Sequence, residues 1–351
     1  MSNDRRILIT GNNGYIGSVM APWFLHQDYD VVGLDTFYYS PCTLVADRAD
    51  IPTINKDLRD VTARDLAGFN AIIHLAALSN DPLGDLNEVL TREINSEGTI
   101  RLATAAKAAG VPRFIFSSSC IMYGMSEAAV VDETTPLAPQ TEYARSKYVA
   151  ETALNRLADD HFSPTYCRNG TVYGLSPRMR FDTVLNNFMG NAFTTGRVVI
   201  HSDGTPWRPV VHVQDVARAF QAVVEAPRDV IHNAAFNTGA DELNHQIGEL
   251  GQIVTETLPG CELKIVPQPG ADQRTYKADF AKFKKTFPDF SFLWTARKGA
   301  EELRTAFERI GLTKNQFKDK RFRRVSWLGH LIDTRSVDES LRWTVTNTRL
   351  A

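Results

Sequence analysis

The stretch RRILITGNNGYIGSVMAPWFLHQDYDVVGLD, residues 5–35, decides the fold. Arg5 to Thr10 is a short apolar run that breaks at Gly11-Asn12-Asn13-Gly14-Tyr15-Ile16-Gly17. A helical segment follows, roughly Tyr15 to Gln27, and a second apolar run, Tyr29 to Leu34, stops at Asp35. Strand, glycine turn, helix, strand and acid in that order form the first βαβ unit of a doubly wound nucleotide-binding sheet. Gly11 permits the tight turn, Gly14 lets a pyrophosphate approach the backbone, and Gly17 lets the helix pack closely on the sheet. Asn13, Tyr15 and Ile16 complete the turn, where the helix start offers free N–H groups and positive dipole to phosphates. Asp35 follows Gly14 by about 20 residues, at the end of the second strand. A carboxylate there accepts the ribose hydroxyls of NAD and repels a 2′-phosphate, so the pattern points to NAD rather than NADP.

Outward from this unit, strands and helices keep alternating. Thr53 to Asn55 is strand-like and leads to Asp57-Leu58-Arg59-Asp60. Ala71 to Leu75 reads as a buried strand ending in Ala76-Ala77, small residues past which a flat ring or a ribose fits. Asn87 to Ala109 reads as one long helix with Asn95 in its middle, and the strand Phe114 to Phe116 opens into Ser117-Ser118-Ser119-Cys120. Ligands of such sheets gather at the carboxyl ends of the strands, where these Asp, Ala and Ser residues stand. The fold class is therefore α/β, a Rossmann-type doubly wound parallel sheet with a smaller C-terminal substrate-binding lobe. Residues 1–175 form the nucleotide-binding domain and 176–311 mainly the lobe, with some segments returning to the first domain. Residues 312–351 form a helical extension.

The segment Thr141 to Asp160 has no Gly or Pro and reads as a helix. Residues four apart on a helix share a face, so Tyr143 and Lys147 point into one small volume with Glu151 a turn further on. An ammonium beside a phenol favours the phenolate and brings its pKa down from roughly 10, which makes a tyrosine a usable base. By spacing alone such a pair is common. A glycine turn, an acid and a serine cluster at neighbouring strand ends turn it into a candidate reaction centre.

A net charge of -2 gives no reason to expect nucleic acid or an anionic membrane as partner. No apolar segment approaches the roughly 18 residues that span a bilayer. Cys42, Cys120, Cys167 and Cys261 are scattered, without metal spacing, and read as reduced thiols. No metal site and no signal peptide are read from the sequence, and a cytoplasmic location is expected. The basic run Lys318 to Arg324, KDKRFRR, reads as a solvated helix packed on its own chain or a neighbour.

Taken together and in order, these motifs resemble the extended short-chain dehydrogenase/reductases, the NAD-dependent nucleotide-sugar epimerase/dehydratase group. The resemblance runs from about Arg5 to Ala300. It implies that Tyr143 is the acid/base, that Lys147 binds the nicotinamide ribose, and that Ser119 hydrogen-bonds the reacting hydroxyl. It implies NAD contacts from Asp57 and Leu58 at the adenine, and from Leu75, Ala76, Ala77, Asn95 and Ser117. On the substrate side the candidates are Ser79, Ser119, Cys120, Asn169, Thr171, Arg208 and Arg274, with Arg208 as diphosphate clamp because a guanidinium is a bidentate donor. Family members generally carry Asn three residues before Gly174, where this chain has Thr171 and an earlier Asn169. His212 and Asp215 read as a structural pair. A nucleotide-diphosphate sugar is the implied substrate and a homodimer through the Asn87 and Thr141 helices the implied assembly.

Two positions speak to the reaction. Dehydratases of the group carry Asp-Glu after the reacting Ser or Thr, and decarboxylases a Glu at the second position. Here these are Cys120 and Ile121, which lack the required proton chemistry. An epimerase working through a transient 4-keto sugar is the expected function. A net NAD-dependent oxidoreductase on a nucleotide sugar is the alternative, ahead of a dehydratase or decarboxylase or a non-catalytic nucleotide-binding module.

Overall fold

The computed structural model describes residues 5–46, 49–79, 87–125, 128–268 and 274–344. Its centre is a sheet of seven parallel strands: β1 (Arg6–Thr10), β2 (Asp30–Asp35), β3 (Thr53–Asn55), β4 (Ala71–His74), β5 (Arg113–Ser119), β6 (Ser163–Asn169) and β7 (Ala234–Thr238). They lie in the order β7-β6-β5-β4-β1-β2-β3. The β1 strand pairs β2 on one side and β4 on the other, with Thr10 opposite both Leu34 and His74. The winding direction reverses between β1 and β4, and a crevice opens there beyond the carboxyl ends of the strands. Strands covered on both faces need continuous apolar side chains. Ile7, Leu8 and Ile9 accordingly are almost wholly buried.

Helix α1 (Gly17–His26) covers one face of the sheet, where Met20 and Phe24 share a core with Phe220 of a second helix, Val213–Glu225. Helices α2 (Gly98–Ala108) and α3 (Glu142–Leu157) cover the other face through Leu102, Ala106 and Leu154. Two helix expectations change. The first helix begins at Gly17 rather than Tyr15, which leaves Tyr15 and Ile16 in the glycine turn. The helix expected from Asn87 to Ala109 is interrupted by a π-helical turn, Arg92–Glu97, which carries Asn95. Such turns often mark functional positions, because they swing one side chain out of helical phase.

The lobe is built on a three-stranded sheet of Thr171–Tyr173, Trp207–His212 and Asn244–Gln246, and on the parallel pair Arg197–Ile200 with Glu262–Ile265. Its core includes Phe181, Leu185, Val210 and Phe307, and also Tyr15 and Val19. Packing the turn into the lobe's own core fixes the lobe over the crevice. His212 and Asp215 do not pair with each other as expected. His212 Nε2 lies 2.9 Å from Glu302 Oε2 while its ring stacks on Trp294 at 3.9 Å. Asp215 accepts the backbone N–H groups of Leu293 and Trp294 and pairs with Arg218.

The chain's last described segment returns to the nucleotide-binding domain. It holds a short helix, Arg324–Asp333, preceded by a five-residue helix, Lys314–Lys318, and a 3₁₀ turn, Lys320–Phe322. Trp327, Leu328 and Leu331 pack with Tyr38, Leu78 and Ile94. The expectation of a solvated basic helix fails at its end, because Arg324 is only 1% exposed. Among the described residues no helix is long and apolar enough to cross a membrane.

Candidate active site

A cavity of about 1070 Å³ lies between the strand ends and the lobe. Its floor is the glycine turn. Gly11 has φ +73°, and a Cβ there would stand 2.8 Å from the Ala76 nitrogen. A Cβ at Gly17 would stand 2.1 Å from the Gly11 carbonyl oxygen, so the tight turn and the helix start coexist only with glycine at both places. Asp35 closes the β2 end of this floor. Its carboxylate accepts the Asn13 N–H at 2.9 Å and the Phe37 N–H at 2.7 Å. Burial raises its pKa, and these backbone donors oppose the rise. The turn leaves space in which a side chain would collide, and its carboxylate is anchored at the ribose position, so these residues fit a dinucleotide.

Helix α3 brings the Tyr143–Lys147 pair to the crevice. Its Thr141 N-cap hydroxyl accepts the Ala144 N–H. Asn95, on the π-turn, donates Nδ2 to Ser146 Oγ at 3.2 Å, and Ser96 Oγ donates to the Ser146 carbonyl at 3.3 Å. Lys147 Nζ donates to the Ser117 carbonyl at 2.7 Å and lies 5.8 Å from the centre of the Tyr143 ring. Lys147 is only 3% exposed, and burial lowers its pKa to about 7, with Glu151 opposing. The carboxylate of Glu151 is taken up by Arg168, at 2.8 and 3.2 Å. Lys147 therefore can gain and lose a proton near neutral pH, beside the tyrosine. His74 is held between Thr10 Oγ1 at 2.7 Å and Thr99 Oγ1 at 2.8 Å, and burial pushes its pKa down to about 3. It is a neutral brace between strand and helix.

The cavity wall includes most of the expected positions. Gly11, Gly14, Tyr15, Ile16, Gly17 and Asp35 line it on the turn side, and Asp57, Leu58, Leu75, Ala76 and Ala77 continue it. Ser117, Ser119 and Tyr143, expected at the reaction centre, also line it, as do Ser79, Asn169, Thr171, Arg208 and Arg274, expected on the substrate side. Asn169 donates Nδ2 to Ser117 Oγ at 3.1 Å, while its buried Oδ1 has no partner among the described residues.

Four expected residues do not line the cavity. Asn13 acts through its backbone on Asp35, and its side chain accepts from Arg178 Nε at 3.2 Å. Asn95 holds the backbone of Leu78 by Oδ1 at 2.8 Å and Nδ2 at 3.0 Å, so it positions the Ala76–Ala77 edge and α3 instead of touching a cofactor directly. Lys147 lies beneath the surface, behind Tyr143 and Ser117. The placement of Cys120 corrects the expectation of a substrate contact: it is fully buried, donating Sγ–H to the Arg168 carbonyl at 3.1 Å. Ile121 faces the cavity in its stead. The 3₁₀ turn Cys120–Tyr123, capped by Ser119, rotates the side chain after Ser119 inward, which a residue count along the chain does not show. Reading the sequence missed Arg180 and Arg324, which both line the cavity. Arg180 follows Gly174 closely enough to have been suspected, but nothing in the periodicity of KDKRFRR singles out Arg324.

Fold and site together define a dinucleotide-dependent enzyme of the short-chain dehydrogenase type, with a second lobe packed over the crevice. The profile described as the NAD dependent epimerase/dehydratase family matches residues 7–239, and the chain belongs to that family. The UDP-glucose 4-epimerase of Bacillus subtilis is 30% identical over 339 residues, covering 85% of this chain and 94% of that protein. The UDP-glucuronic acid decarboxylase 4 of Arabidopsis thaliana is 25% identical over 289 residues, 80% of this chain and 63% of that one. Among solved structures, MoeE5 in complex with UDP-glucose and NAD superposes with a TM-score of 0.74 at 26% identity, covering 87% of this chain and 99% of that chain. The UDP-glucose 4-epimerase of Thermus thermophilus in complex with NAD gives 0.70 at 25% identity, covering 85% and 99%. The cofactor of the family is NAD.

Proposed function

We propose that the protein is an NAD-dependent nucleotide-sugar 4-epimerase working through a transient 4-keto sugar. The observation that carries this reading is the reaction end of the cavity, where Tyr143 and Ser119 face the space and the two following positions are a buried Cys120 and an apolar Ile121. The chemistry that NAD supplies when bound is reversible hydride exchange with a sugar carbon. The glycine turn and Asp35 would hold it, together with Ala76 and Ala77 at the end of β4.

Tyr143 Oη takes the proton of the sugar hydroxyl and later returns it. Ser119 Oγ holds that hydroxyl in line, and Lys147 makes the phenolate accessible near neutral pH by supplying a proton-exchanging cation behind the ring. Neither a thiol buried against the Arg168 carbonyl nor an isoleucine moves protons at neighbouring sugar carbons, which disfavours elimination as the next step. Ketone rotation within the cavity and return to the other face then gives the epimer. Arg208 and Arg274, together on the lobe, are the candidates for the substrate diphosphate, with a UDP-sugar suggested by the named relatives. The homodimer implied by the family resemblance would use α3, whose Tyr148 and Val149 are exposed.

The test is incubation with UDP-, GDP-, CDP- and dTDP-sugars, followed by NMR of the C4 proton. Inversion at C4 without added cofactor supports the proposal. A keto product with stoichiometric NADH sinks it in favour of a net oxidoreductase.

A further inference from the structure

The C-terminal extension, which the reaction scheme does not use, sends a buried cation into the cavity. Arg324 lines the cavity and is 1% exposed. Its Nη2 donates to the Arg178 carbonyl at 2.7 Å, and its guanidinium lies 4.2 Å over the Tyr39 ring. Among the described residues its buried Nη1 has no hydrogen-bond partner, and no carboxylate reaches this guanidinium at ion-pair distance. A buried charge left in this state is costly unless a ligand completes it.

Arg180 stands beside it. Arg180 Nε pairs with Asp182 at 2.8 Å, and its Nη1 donates to Ser79 Oγ at 3.3 Å. The same Asp182 accepts the Arg324 backbone N–H at 3.1 Å. Two guanidinium groups thus share the surroundings of one carboxylate, which leaves a net positive spot in the cavity wall. Burial pulls the Arg324 pKa down, and Arg180 adds to that effect. An anion of phosphate type suits two planar forks better than any neutral group does.

The position of the pair says which phosphate. Tyr39, under Arg324, follows closely on Asp35 at the ribose position. Arg178, whose carbonyl holds Arg324, donates Nε to Asn13 Oδ1 in the glycine turn at 3.2 Å. The lobe carries a separate arginine pair, Arg208 and Arg274, the candidates named above for a substrate's diphosphate. The extension is also fastened over the Asp35 side. Trp327 Nε1 donates to the Tyr38 carbonyl at 2.7 Å and Trp343 Nε1 to the Thr36 carbonyl at 2.6 Å, while Arg342 pairs with Asp60.

We propose that Arg324 and Arg180 form a two-guanidinium seat for the diphosphate of bound NAD, and that the C-terminal extension thereby retains the cofactor. The inference does not depend on which reaction the enzyme performs.

The experiment measures binding by calorimetry to the full chain freed of nucleotide, with NAD, ADP-ribose, adenosine and UDP-glucose as probes. Arg324→Met is expected to weaken NAD and ADP-ribose by about ten- to a hundredfold, with adenosine and UDP-glucose little changed and Arg324→Lys recovering part of the loss. Unchanged NAD affinity, an equal loss for adenosine, or a loss confined to UDP-glucose would each overturn the proposal, the last by assigning the seat to the substrate. Because Arg324 is buried, a folding defect is checked by circular dichroism. Hydrogen exchange on the unaltered protein gives a second reading. NAD and ADP-ribose, but not adenosine or UDP-glucose, should slow exchange of the 324–333 amides, and an unchanged rate with NAD contradicts the seat.

Discussion

Replacing Lys147 by methionine separates what the lysine does for chemistry from what it does to stability. In the folded protein burial brings its pKa from 10.5 to about 7. The unfolded chain keeps the proton up to about 10.4 while the folded chain releases it near neutrality. Between those values the unfolded state binds more protons, so this site makes stability rise as pH rises from about 7 to about 10. At and below pH 7 the full penalty of the buried charge applies. At 1.36 kcal/mol for each pH unit between the two values the penalty is on the order of 5 kcal/mol. Against it stands the hydrogen bond from Nζ to the Ser117 carbonyl, about 1–2 kcal/mol. A methionine of similar length fills the space without the charge. The variant freed of nucleotide should therefore be more stable than the wild type at pH 6, by about 3 kcal/mol, with the advantage disappearing near pH 10. Urea unfolding at pH 6, 8 and 10 measures this. The same variant should lose turnover, because the cation behind Tyr143 is gone. A variant less stable at pH 6, with a difference that does not move with pH, would refute the reasoning.

Three further outcomes are expected. Tyr143→Phe should keep NAD bound and lose turnover by about 10²–10⁴-fold, as single-turnover absorbance and cofactor content will show. Asp35→Ala should weaken NAD about tenfold and cost roughly 1–3 kcal/mol of stability, because the Asn13 and Phe37 N–H groups lose their acceptor; unchanged discrimination between NAD and NADP counts against its ribose role. Cys120→Ser should leave KM and kcat within about twofold of the wild type, since the side chain turns away from the cavity, and a large rise in KM would restore it to the substrate wall.

The nucleotide-binding half was legible because its constraints are local. Gly11, Gly14 and Gly17 answer to backbone clearance within one turn, and Asp35 to the end of one strand, so spacing alone reveals them. Tyr143 and Lys147, four apart on one helix, are a common pair by spacing and became legible only beside the glycine turn, the acid and the serine cluster. What escaped depends on phase or on distant packing. The π-turn at Arg92–Glu97 and the 3₁₀ turn at Cys120–Tyr123 each change which way a side chain points, and neither follows from helix propensity. Those two turns account for Asn95 acting on Leu78 and Ser146 and for Cys120 turning inward. Arg324 escaped for another reason. Its burial is set by Trp327, Leu328 and Leu331 docking on Tyr38, Leu78 and Ile94, contacts between parts of the chain far apart in sequence. Composition reads such a basic run as solvated, and only the fold shows that one of its arginines is inside.

The most direct test of the central claim is to mix the NAD-loaded protein with UDP-glucose, and separately with UDP-galactose, adding no further cofactor and following the C4 proton by NMR. The proposed mechanism predicts that both samples reach the same mixture of the two sugars with no lasting gain in NADH absorbance. Accumulation of NADH with a keto sugar, or loss of water or carbon dioxide from the sugar, would contradict it.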